Sequence, residues 1–326
     1  MLRILHVSDL QCGKPFLPDA ADALVRFAHA AAPDVVVASG DLTQRAKPRE
    51  FKRAARLLEQ LGEAPVVVTP GNHDVPMYRV WERLFAPYRN WRRYMSPHLN
   101  DVTRVDGATL VALSSAAPRR ALVGGRVDAT QVDFARNGFA DAPENDVRVL
   151  VIHHHFVPTA SGEGGRTLPR AKPLLEAFED MCVDLVLGGH IHQARVVFSR
   201  EVVKDRPGPG IPLIASGTTT SGRGRGDERG WNSLNVIDVG PTSMEVTAHR
   251  LPPGGSEFEQ AESVSVARAR PTREPKAPEG RDAPEEHDAP EGQDAPEGQD
   301  APDRQDAPDR QVAPDRRGTR AGRTAE

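Results

Sequence analysis

The sequence is poor in cysteine, and this excludes a disulfide framework. Its 326 residues include two cysteines, Cys12 and Cys182, which lie far apart in the chain. Secreted domains that depend on disulfides carry more cysteines at regular spacings. Two isolated thiols are typical of a protein from a reducing compartment, so we expect a cytoplasmic location.

Long apolar runs and an excess of one charge are also missing. No run approaches the roughly 18 apolar residues of a membrane-spanning helix, and the first predicted strand begins at Leu2 with no basic and apolar leader before it. The formal net charge is −4, from 42 basic and 46 acidic residues. We therefore expect no membrane insertion and no nucleic-acid partner, and we favour a small substrate. The sequence leaves the oligomeric state open.

Apolar and aromatic residues become scarce after about residue 250. Residues 251–326 are rich in Pro, Asp and Glu, and Asp-Ala-Pro recurs with a six-residue period from Asp282 to Asp306. A proline every six residues prevents helix and sheet, and little apolar surface is available for burial. We predict a folded domain over residues 1–250 and a disordered tail over 251–326. The tail could serve tethering or solubility, but its composition favours a low-complexity extension without a specific partner.

The first 250 residues alternate short apolar runs with amphipathic helical patterns, after which strands dominate. Residues 2–7, 35–38 and 147–152 are apolar runs typical of buried strands, and residues 19–32 and 48–61 have helical spacing. This order predicts an α/β fold with two packed sheets and helices on the outside.

An aromatic segment lies between residues 78 and 94. Trp81, Phe85, Tyr88 and Trp91 recur there at helical spacing. They could form a base-stacking surface, but aromatic residues at this spacing are more often core, so we predict that they pack inward.

Polar side chains that can bind a metal ion follow five of the predicted strands. They are Asp9 with Gln11, Asp41, Asn72 with His73 and Asp74, His153, and His190 with His192. Adjacent strand ends lie roughly 5 Å apart, so residues distant in sequence can meet in one site there. Carboxylate, amide and imidazole ligands together suit Mn, Fe, Zn or Mg. About seven of them as direct ligands are too many for one ion, whereas two ions bridged by a shared carboxylate account for them.

In order and spacing, these motifs resemble those of the calcineurin-like metallophosphoesterase superfamily. The resemblance rests on Asp9-x-Gln11, Gly40-Asp41, Gly71-Asn72-His73-Asp74, His153-His154 and Gly189-His190-Ile191-His192, and it covers about residues 1–250. The third histidine at position 155 and the segments Ser216–Ser221 and Asn232-Ser233 look most like the class III cyclic nucleotide phosphodiesterase branch. The resemblance implies a four-layer sandwich of two mixed β-sheets flanked by helices.

The resemblance also implies a ligand set for two divalent ions, and the glutamine at position 11 leads us to favour manganese. The first metal would be held by Asp9, Gln11, Asp41 and His192, which we call the first-metal group. The second would be held by Asp41, Asn72, His153 and His190, the second-metal group, with Asp41 as the bridge.

The same resemblance implies that His73 is the general acid or a hydrogen-bond donor in the transition state, and that Asp74 orients it. Two cations neutralise a phosphodiester and lower the pKa of a bridging water towards about 7, so that a hydroxide can attack. The departing alkoxide needs a proton, which an imidazole with a pKa near about 6.5 can supply.

Gln11 departs from the family pattern, which usually has histidine at this position. An amide oxygen is a weaker and harder donor than imidazole, so we expect a more labile first metal with a preference for Mn or Mg over Zn. Two further residues are candidates for substrate binding. His154 could contact substrate or support a ligand, and Arg223, in a glycine-rich stretch, could clamp phosphate or lie in a solvated turn.

The sequence therefore favours a dinuclear metal-dependent phosphodiesterase acting on a small phosphodiester or nucleotide. Cyclic nucleotides, phospholipid-derived diesters and nucleotide diphosphates all present the same phosphoryl group. A DNA exonuclease of the same superfamily is the first alternative. A weakened binding or scaffold protein that keeps the fold and one metal is the second.

Overall fold

A computed structural model describes residues 1–119, 123–159, 162 and 165–268 as two mixed β-sheets flanked by helices, which confirms the predicted fold. The strands are β1 (Leu2–Val7), β2 (Val35–Ala38), β3 (Val66–Val68), β4 (Asp101–Val105), β5 (Ala108–Leu113), β6 (Val147–Ile152), β7 (Leu185–Gly188), β8 (Arg195–Phe198), β9 (Pro212–Ala215), β10 (Asn232–Val239), β11 (Ser243–Leu251) and β12 (Glu259–Ala267). The helices are α1 (Pro18–Ala31), α2 (Pro48–Glu59), α3 (Val80–Phe85), α4 (Arg89–Tyr94), α5 (Ala129–Ala140) and α6 (Ala171–Asp180).

Parallel strands form one half of the first sheet and the centre of the second. The first sheet has the order β12-β11-β10-β1-β2-β3, and β1, β2 and β3 are parallel. The second sheet has the order β4-β5-β6-β7-β9-β8, and β5, β6, β7 and β9 are parallel. The carboxyl ends of these strands carry the motif residues, which places them along one edge of each sheet.

Three buried layers hold the sandwich together. Ile4 and Val37 of the first sheet pack between the sheets with Val149 and Leu187 of the second. Leu5 points to the opposite face, as the two-residue period of a strand requires, and belongs to the layer beneath α1 and α2. A third layer lies beneath α5 and α6. Because the central strands are buried on both faces, their sequences are nearly continuous apolar runs.

The aromatic segment forms two short helices, and only part of it packs inward. Trp91 on α4 is 1% exposed and belongs to the core, as predicted. Trp81 and Phe85 on α3 are 75% and 74% exposed and stack on each other, with ring centroids 6.0 Å apart and planes 10° from parallel. The prediction of core packing was therefore wrong for these two side chains. Helical spacing identifies a shared face but does not show whether another element covers it.

The folded part of the chain extends past the predicted boundary at residue 250. β12 pairs antiparallel with β11, from Arg250 opposite Glu259 to Ser243 opposite Ala267. The predicted start of the tail at residue 251 was therefore too early, because most β12 side chains are exposed and the strand is held by backbone hydrogen bonds that leave no apolar pattern. Most of the predicted tail, with its six-residue repeats, lies outside the described residues. Within the described residues, no helix has both the length and the apolar character needed to cross a bilayer.

Candidate metal centre

The motif residues sit where the chain turns sharply after a strand. Asp9, Gln11, Asp41, His190 and His192 all have positive φ values, between 49° and 72°. A side chain in the left-handed region costs roughly 1–2 kcal/mol, so five such residues in one place need support from their surroundings. Clustered backbone strain of this kind is characteristic of functional sites.

Two glycines of the motifs let the ligands approach each other. A Cβ at Gly71 would lie 2.2 Å from Asp41 Oδ1, and a Cβ at Gly189 would lie 2.6 Å from Asp9 Oδ2. No side chain fits at either position without displacing a carboxylate. The glycines before Asn72 and His190 are therefore explained by close packing of the centre.

The two sheets contribute different ligand types. Asp9, Gln11, Asp41 and Asn72 follow strands of the first sheet and offer oxygen atoms, whereas His153, His190 and His192 follow strands of the second sheet and offer nitrogen atoms. The mixed set of carboxylate, amide and imidazole suits a divalent transition metal. Because each predicted ligand group draws on both sheets, the centre depends on their packing.

The ligands of the second-metal group are buried and lie close together. One ligand atom each from Asp41, His153 and His190 lies within 4.8 Å of the others, and Asn72 Oδ1 lies 3.0 Å from His190 Nδ1. His153 Nδ1 lies 2.8 Å from the carbonyl oxygen of Ser39. Since a carbonyl only accepts, Nδ1 carries the proton there and Nε2 faces Asp41 Oδ2, 3.4 Å away.

This pair of facing atoms attracts positive charge. Burial lowers the pKa of His153, but the neighbouring Asp41 carboxylate outweighs it and raises this pKa to about 9. His153 Nε2 has no hydrogen-bond partner in the described structure. A divalent cation can supply the charge that the pair attracts, so these residues fit a metal ion.

The first-metal group offers one bare carboxylate oxygen. Asp9 Oδ2 accepts hydrogen bonds from Ser8 Oγ at 2.8 Å and from the His190 backbone N–H at 3.0 Å. Asp9 Oδ1 is buried, has no hydrogen-bond partner among the described residues and lies 3.6 Å from His192 Nε2. A buried carboxylate oxygen without a partner is unfavourable, and a cation would satisfy it.

Gln11, in contrast, is already paired at both ends of its amide. Its Nε2 donates to Asp41 Oδ2 at 3.2 Å, and its Oε1 accepts from Arg223 Nη1 at 3.2 Å. The atom that would bind a metal is therefore occupied by a guanidinium. Gln11 fits the ligand set less well than the other six residues.

His73 lies half-buried at the edge of the centre. Its backbone N–H donates to Asp41 Oδ1 at 2.7 Å, and its ring Nδ1 lies 2.9 Å from the carbonyl oxygen of Gln44. Nδ1 therefore carries the ring proton and Nε2 accepts from Arg223 Nη1 at 3.2 Å. Gln44 was missed by sequence reasoning, because a backbone carbonyl leaves no signature in the side-chain pattern.

Asp74 does not orient the His73 ring as predicted. Of the hydrogen bonds that Asp74 makes within the described chain, none reaches the ring. Its carboxylate accepts from the backbone N–H groups of Leu42 at 3.1 Å, Thr43 at 2.8 Å and Gly71 at 3.0 Å, and from Thr43 Oγ1 at 2.9 Å. Burial and the nearby Asp41 charge raise the pKa of Asp74 to about 7, against the lowering effect of these donors. Asp74 therefore links two segments, the turn that contains Asn72 and the loop that follows Asp41.

The two candidate substrate-binding residues lie in different places. His154 is buried, with Nδ1 2.6 Å from Ser115 Oγ and its ring centroid 4.6 Å from that of His190, a position that favours support of a ligand. Arg223 is half-buried and reaches into the centre, where it contacts Gln11 and His73. Arg223 lies in a turn, as the alternative holds, but its side chain points to the centre, which favours the phosphate-clamp interpretation.

Comparison with curated proteins finds relatives named as phosphodiesterases. The chain is 30% identical over 167 residues to a probable cyclic nucleotide phosphodiesterase of Synechococcus, a match covering 50% of this chain and 59% of that protein. It is 24% identical over 286 residues to a probable cyclic nucleotide phosphodiesterase of Rhodococcus erythropolis, covering 81% and 87%. It is 27% identical over 241 residues to a cAMP/cGMP dual specificity phosphodiesterase of Mycobacterium tuberculosis, covering 69% and 68%.

Solved structures share the fold at low identity. A purple acid phosphatase from yellow lupin matches with a TM-score of 0.57 at 12% identity, over 82% of this chain and 54% of that one. A dimetal phosphatase from Danio rerio matches with a TM-score of 0.55 at 10% identity, over 82% and 99%. The family model for calcineurin-like phosphoesterases matches residues 2–194, which include every predicted metal ligand. The chain therefore belongs to the calcineurin-like phosphoesterase family, which implies a hydrolase and divalent metal ions.

Proposed function

We propose that this protein is a divalent-metal-dependent phosphodiesterase and that cyclic nucleotides are its preferred substrate class. The observation that carries the proposal is the buried second-metal group, in which Asp41, His153 and His190 converge within 4.8 Å. The phosphodiesterase names of three relatives support a diester substrate, and two of those names include cyclic nucleotides while the third specifies cAMP and cGMP.

In this proposal the second-metal group holds one ion and the first-metal group holds another more weakly. Bound divalent ions would neutralise the charge of the phosphodiester and lower the pKa of water at the centre. Asp41 lies between the groups, since His153 and Gln11 both approach its Oδ2. Manganese is favoured over zinc because the first group contains one imidazole, from His192, beside oxygen donors.

His73 would deliver the proton that the leaving oxygen needs. Gln44 holds the Nδ1–H, so a proton for the leaving group must come from Nε2, and the ring must first be doubly protonated. Arg223 now donates to that Nε2. A phosphate oxygen entering beside Arg223 would take over this donor and leave Nε2 able to bind a proton.

Hydrolysis of a simple diester tests the proposal. Metal-stripped protein, reloaded with Mn, should hydrolyse bis(p-nitrophenyl) phosphate and cyclic AMP. His73→Ala should lower kcat by about 10²- to 10⁴-fold, the range for a lost general acid, and Asn72→Ala should weaken Mn binding. His98→Ala removes an exposed histidine away from the centre and serves as the control. The proposal fails if Mn-loaded wild-type protein hydrolyses neither diester. It also fails if His73→Ala and Asn72→Ala both behave like the wild type.

Single-stranded nucleic acid is a second candidate substrate, and one surface favours it. The exposed Trp81–Phe85 stack adjoins a groove of about 800 Å³ that Phe85 lines together with Arg89, Arg92, Arg119 and Arg126. Aromatic faces beside arginines bind single strands without sequence preference. The groove also approaches the centre, because the Arg126 backbone N–H bonds to Ser115, whose hydroxyl contacts His154.

Oligonucleotide turnover distinguishes the two substrate classes. If the groove binds single strands, Trp81→Ala/Phe85→Ala should lower cleavage of a labelled DNA oligonucleotide about tenfold or more, at about 1–3 kcal/mol for each stacked base. Hydrolysis of bis(p-nitrophenyl) phosphate should not change. Absence of oligonucleotide cleavage by the Mn-loaded wild type would eliminate this candidate.

A further inference from the structure

We propose that the guanidinium of Arg223 takes the Gln11 oxygen out of the first-metal group and is held by Gln11 so that it meets the substrate phosphate. On this account Gln11 positions Arg223 and does not bind a metal, and the protein binds one divalent ion tightly, at the second-metal group. The part concerning substrate rests on the proposed function, but the part concerning metal binding does not.

The orientation of the Gln11 amide is fixed by its partners. Arg223 can only donate hydrogen bonds and the ionised Asp41 can only accept them. The oxygen of the Gln11 amide must therefore face Arg223 and the nitrogen must face Asp41, and both contacts are 3.2 Å long. Turning the amide around would set donor against donor and acceptor against acceptor. The single oxygen with which a glutamine can bind a metal is thus already used.

Arg223 is positioned by a well-anchored backbone. The preceding residue, Gly222, donates its N–H to the Pro15 carbonyl at 2.9 Å, and Ser221 pairs with Phe16 in an isolated bridge. Two residues later, the Arg225 N–H donates to the carbonyl of His192 at 3.2 Å. The loop is therefore tied on one side to the segment after Gln11 and on the other to a ligand of the first-metal group.

The guanidinium retains donors for a ligand. The hydrogen bonds that Arg223 makes within the described chain all use Nη1, to Gln11 Oε1, His73 Nε2 and, at 3.5 Å, Gln44 Oε1. Nε–H and Nη2–H are left for an incoming group. An arginine fork matches two oxygens of a phosphate, and its charge is permanent. A phosphoryl group at the edge of the centre would thus meet Arg223 and His73 together.

The same charge disfavours a divalent ion nearby. A cation bound to Asp9 Oδ1 and His192 would lack the Gln11 oxygen and would share the group with a guanidinium. The second-metal group has neither disadvantage, because among the described residues no arginine forms a hydrogen bond or ion pair with Asp41, His153 or His190. The first-metal group should therefore fill only at high metal concentration.

Manganese binding tests the inference without reference to activity. Metal-free wild-type protein is titrated with Mn²⁺ and followed by elemental analysis after dialysis and by electron paramagnetic resonance. We expect one tightly bound ion with an isolated six-line spectrum. A second ion should bind at least about 100-fold more weakly, because the first-metal group lacks one donor. The double variant Gln11→His/Arg223→Met should bind two ions tightly and give a spin-coupled spectrum.

Arg225→Met is the matched control, since it removes the same charge from the same loop and should leave one tight ion. Two equally tight, spin-coupled ions in the wild type would overturn the inference. A double variant that keeps the wild-type melting temperature but still binds one tight ion would also overturn it. If the double variant does not fold, Gln11→His alone replaces it, and its second ion should bind at least tenfold more tightly than in the wild type.

Inorganic phosphate probes the substrate side of the inference. With one Mn²⁺ bound, Arg223→Met should weaken phosphate binding about 10- to 100-fold, and Arg223→Lys should recover only part of it because lysine lacks the fork. Gln11→Ala should weaken it also, by freeing Arg223. Unchanged phosphate affinity in Arg223→Met would overturn this part. If the wild type hydrolyses no diester, the proposed function fails while the metal and phosphate results stand.

Discussion

The first-metal and second-metal groups share Asp41 but differ in what faces the space between their ligands. In the second-metal group, His153 Nε2 and Asp41 Oδ2 face each other at 3.4 Å, and this pair attracts a cation. In the first-metal group, Asp9 Oδ1 is bare, whereas the Gln11 oxygen is paired with Arg223. This difference shows that ligand type alone does not define a metal site. A ligand atom paired with a permanent cation, as the Gln11 oxygen is with Arg223, is not available to a metal ion.

Removal of the shared carboxylate should have the largest effect, because it disables both groups. In Asp41→Asn we expect loss of tight Mn binding and a fall in kcat/KM for bis(p-nitrophenyl) phosphate of more than about 100-fold, beyond the range for residues that only support a ligand. Calorimetric titration with Mn²⁺ and steady-state kinetics measure both. Asp106→Asn, in the exposed turn between β4 and β5, should match the wild type. Normal Mn binding by Asp41→Asn would contradict the shared role.

The two groups can be separated by one histidine from each. His153→Ala should weaken the tight Mn site by more than about 100-fold, whereas His192→Ala should weaken it less than about tenfold. The reason is that His153 lies against Asp41 in the gathered group, while His192 contacts Asp9 at 3.6 Å. Equilibrium dialysis gives both constants. Equal losses of Mn affinity in the two variants would show that the two groups are equivalent.

The structural support of the second-metal group can be measured as protein stability. Asp74 supports the turn that carries Asn72, a ligand of this group. Asp74→Asn replaces an acceptor of four hydrogen bonds by a group with one acceptor oxygen. We expect the free energy of unfolding to fall by about 3 kcal/mol, because buried donors lose their partner. Urea denaturation of metal-free protein measures it, with Asp106→Asn again as the control. A change below about 0.5 kcal/mol, the usual range for a surface substitution, would exclude this role.

His6 lies in β1, the strand that leads to Asp9 of the first-metal group. Complete burial lowers the pKa of His6 to about 3, against 6.5 as the usual value. The unfolded chain therefore binds a proton between these pH values and the folded chain does not, so this contribution to stability is full above pH 6.5 and is lost as the pH falls. The expected loss is about 2 kcal/mol at pH 5, from about 1.4 kcal/mol per pH unit. His6→Gln should lose less stability than the wild type between pH 7 and pH 5 in urea denaturation. Parallel losses would contradict this assignment.

The position of the centre could be predicted from the sequence, because buried apolar strands that end in polar residues must place those residues at one edge of a sheet. The same reasoning identified Gln11 as unusual from its residue type. It could not show that the Gln11 oxygen faces Arg223, because that contact depends on the conformation of a glycine-rich loop some two hundred residues later in the chain. The contact of His73 with Gln44 was hidden for a similar reason, since it involves a backbone carbonyl.

Two features of the fold escaped prediction because they depend on surroundings. β12 carries mostly exposed side chains and is defined by its backbone pairing with β11, which an apolar pattern does not reveal. Trp81 and Phe85 have the spacing of core residues, yet no described element covers them. Periodicity fixes which side chains share a face, and the packing of other elements decides whether that face is buried.

The central claim is that a divalent ion held by the second-metal group supports phosphodiester hydrolysis. A titration of metal-stripped protein with Mn²⁺, in which bound Mn and the rate of bis(p-nitrophenyl) phosphate hydrolysis are measured on the same samples, tests it most directly. We expect negligible hydrolysis without metal and a rate that begins to rise as the first tight ion binds. Hydrolysis that is unaffected by metal removal, or a fully Mn-loaded protein that hydrolyses no diester, would contradict it.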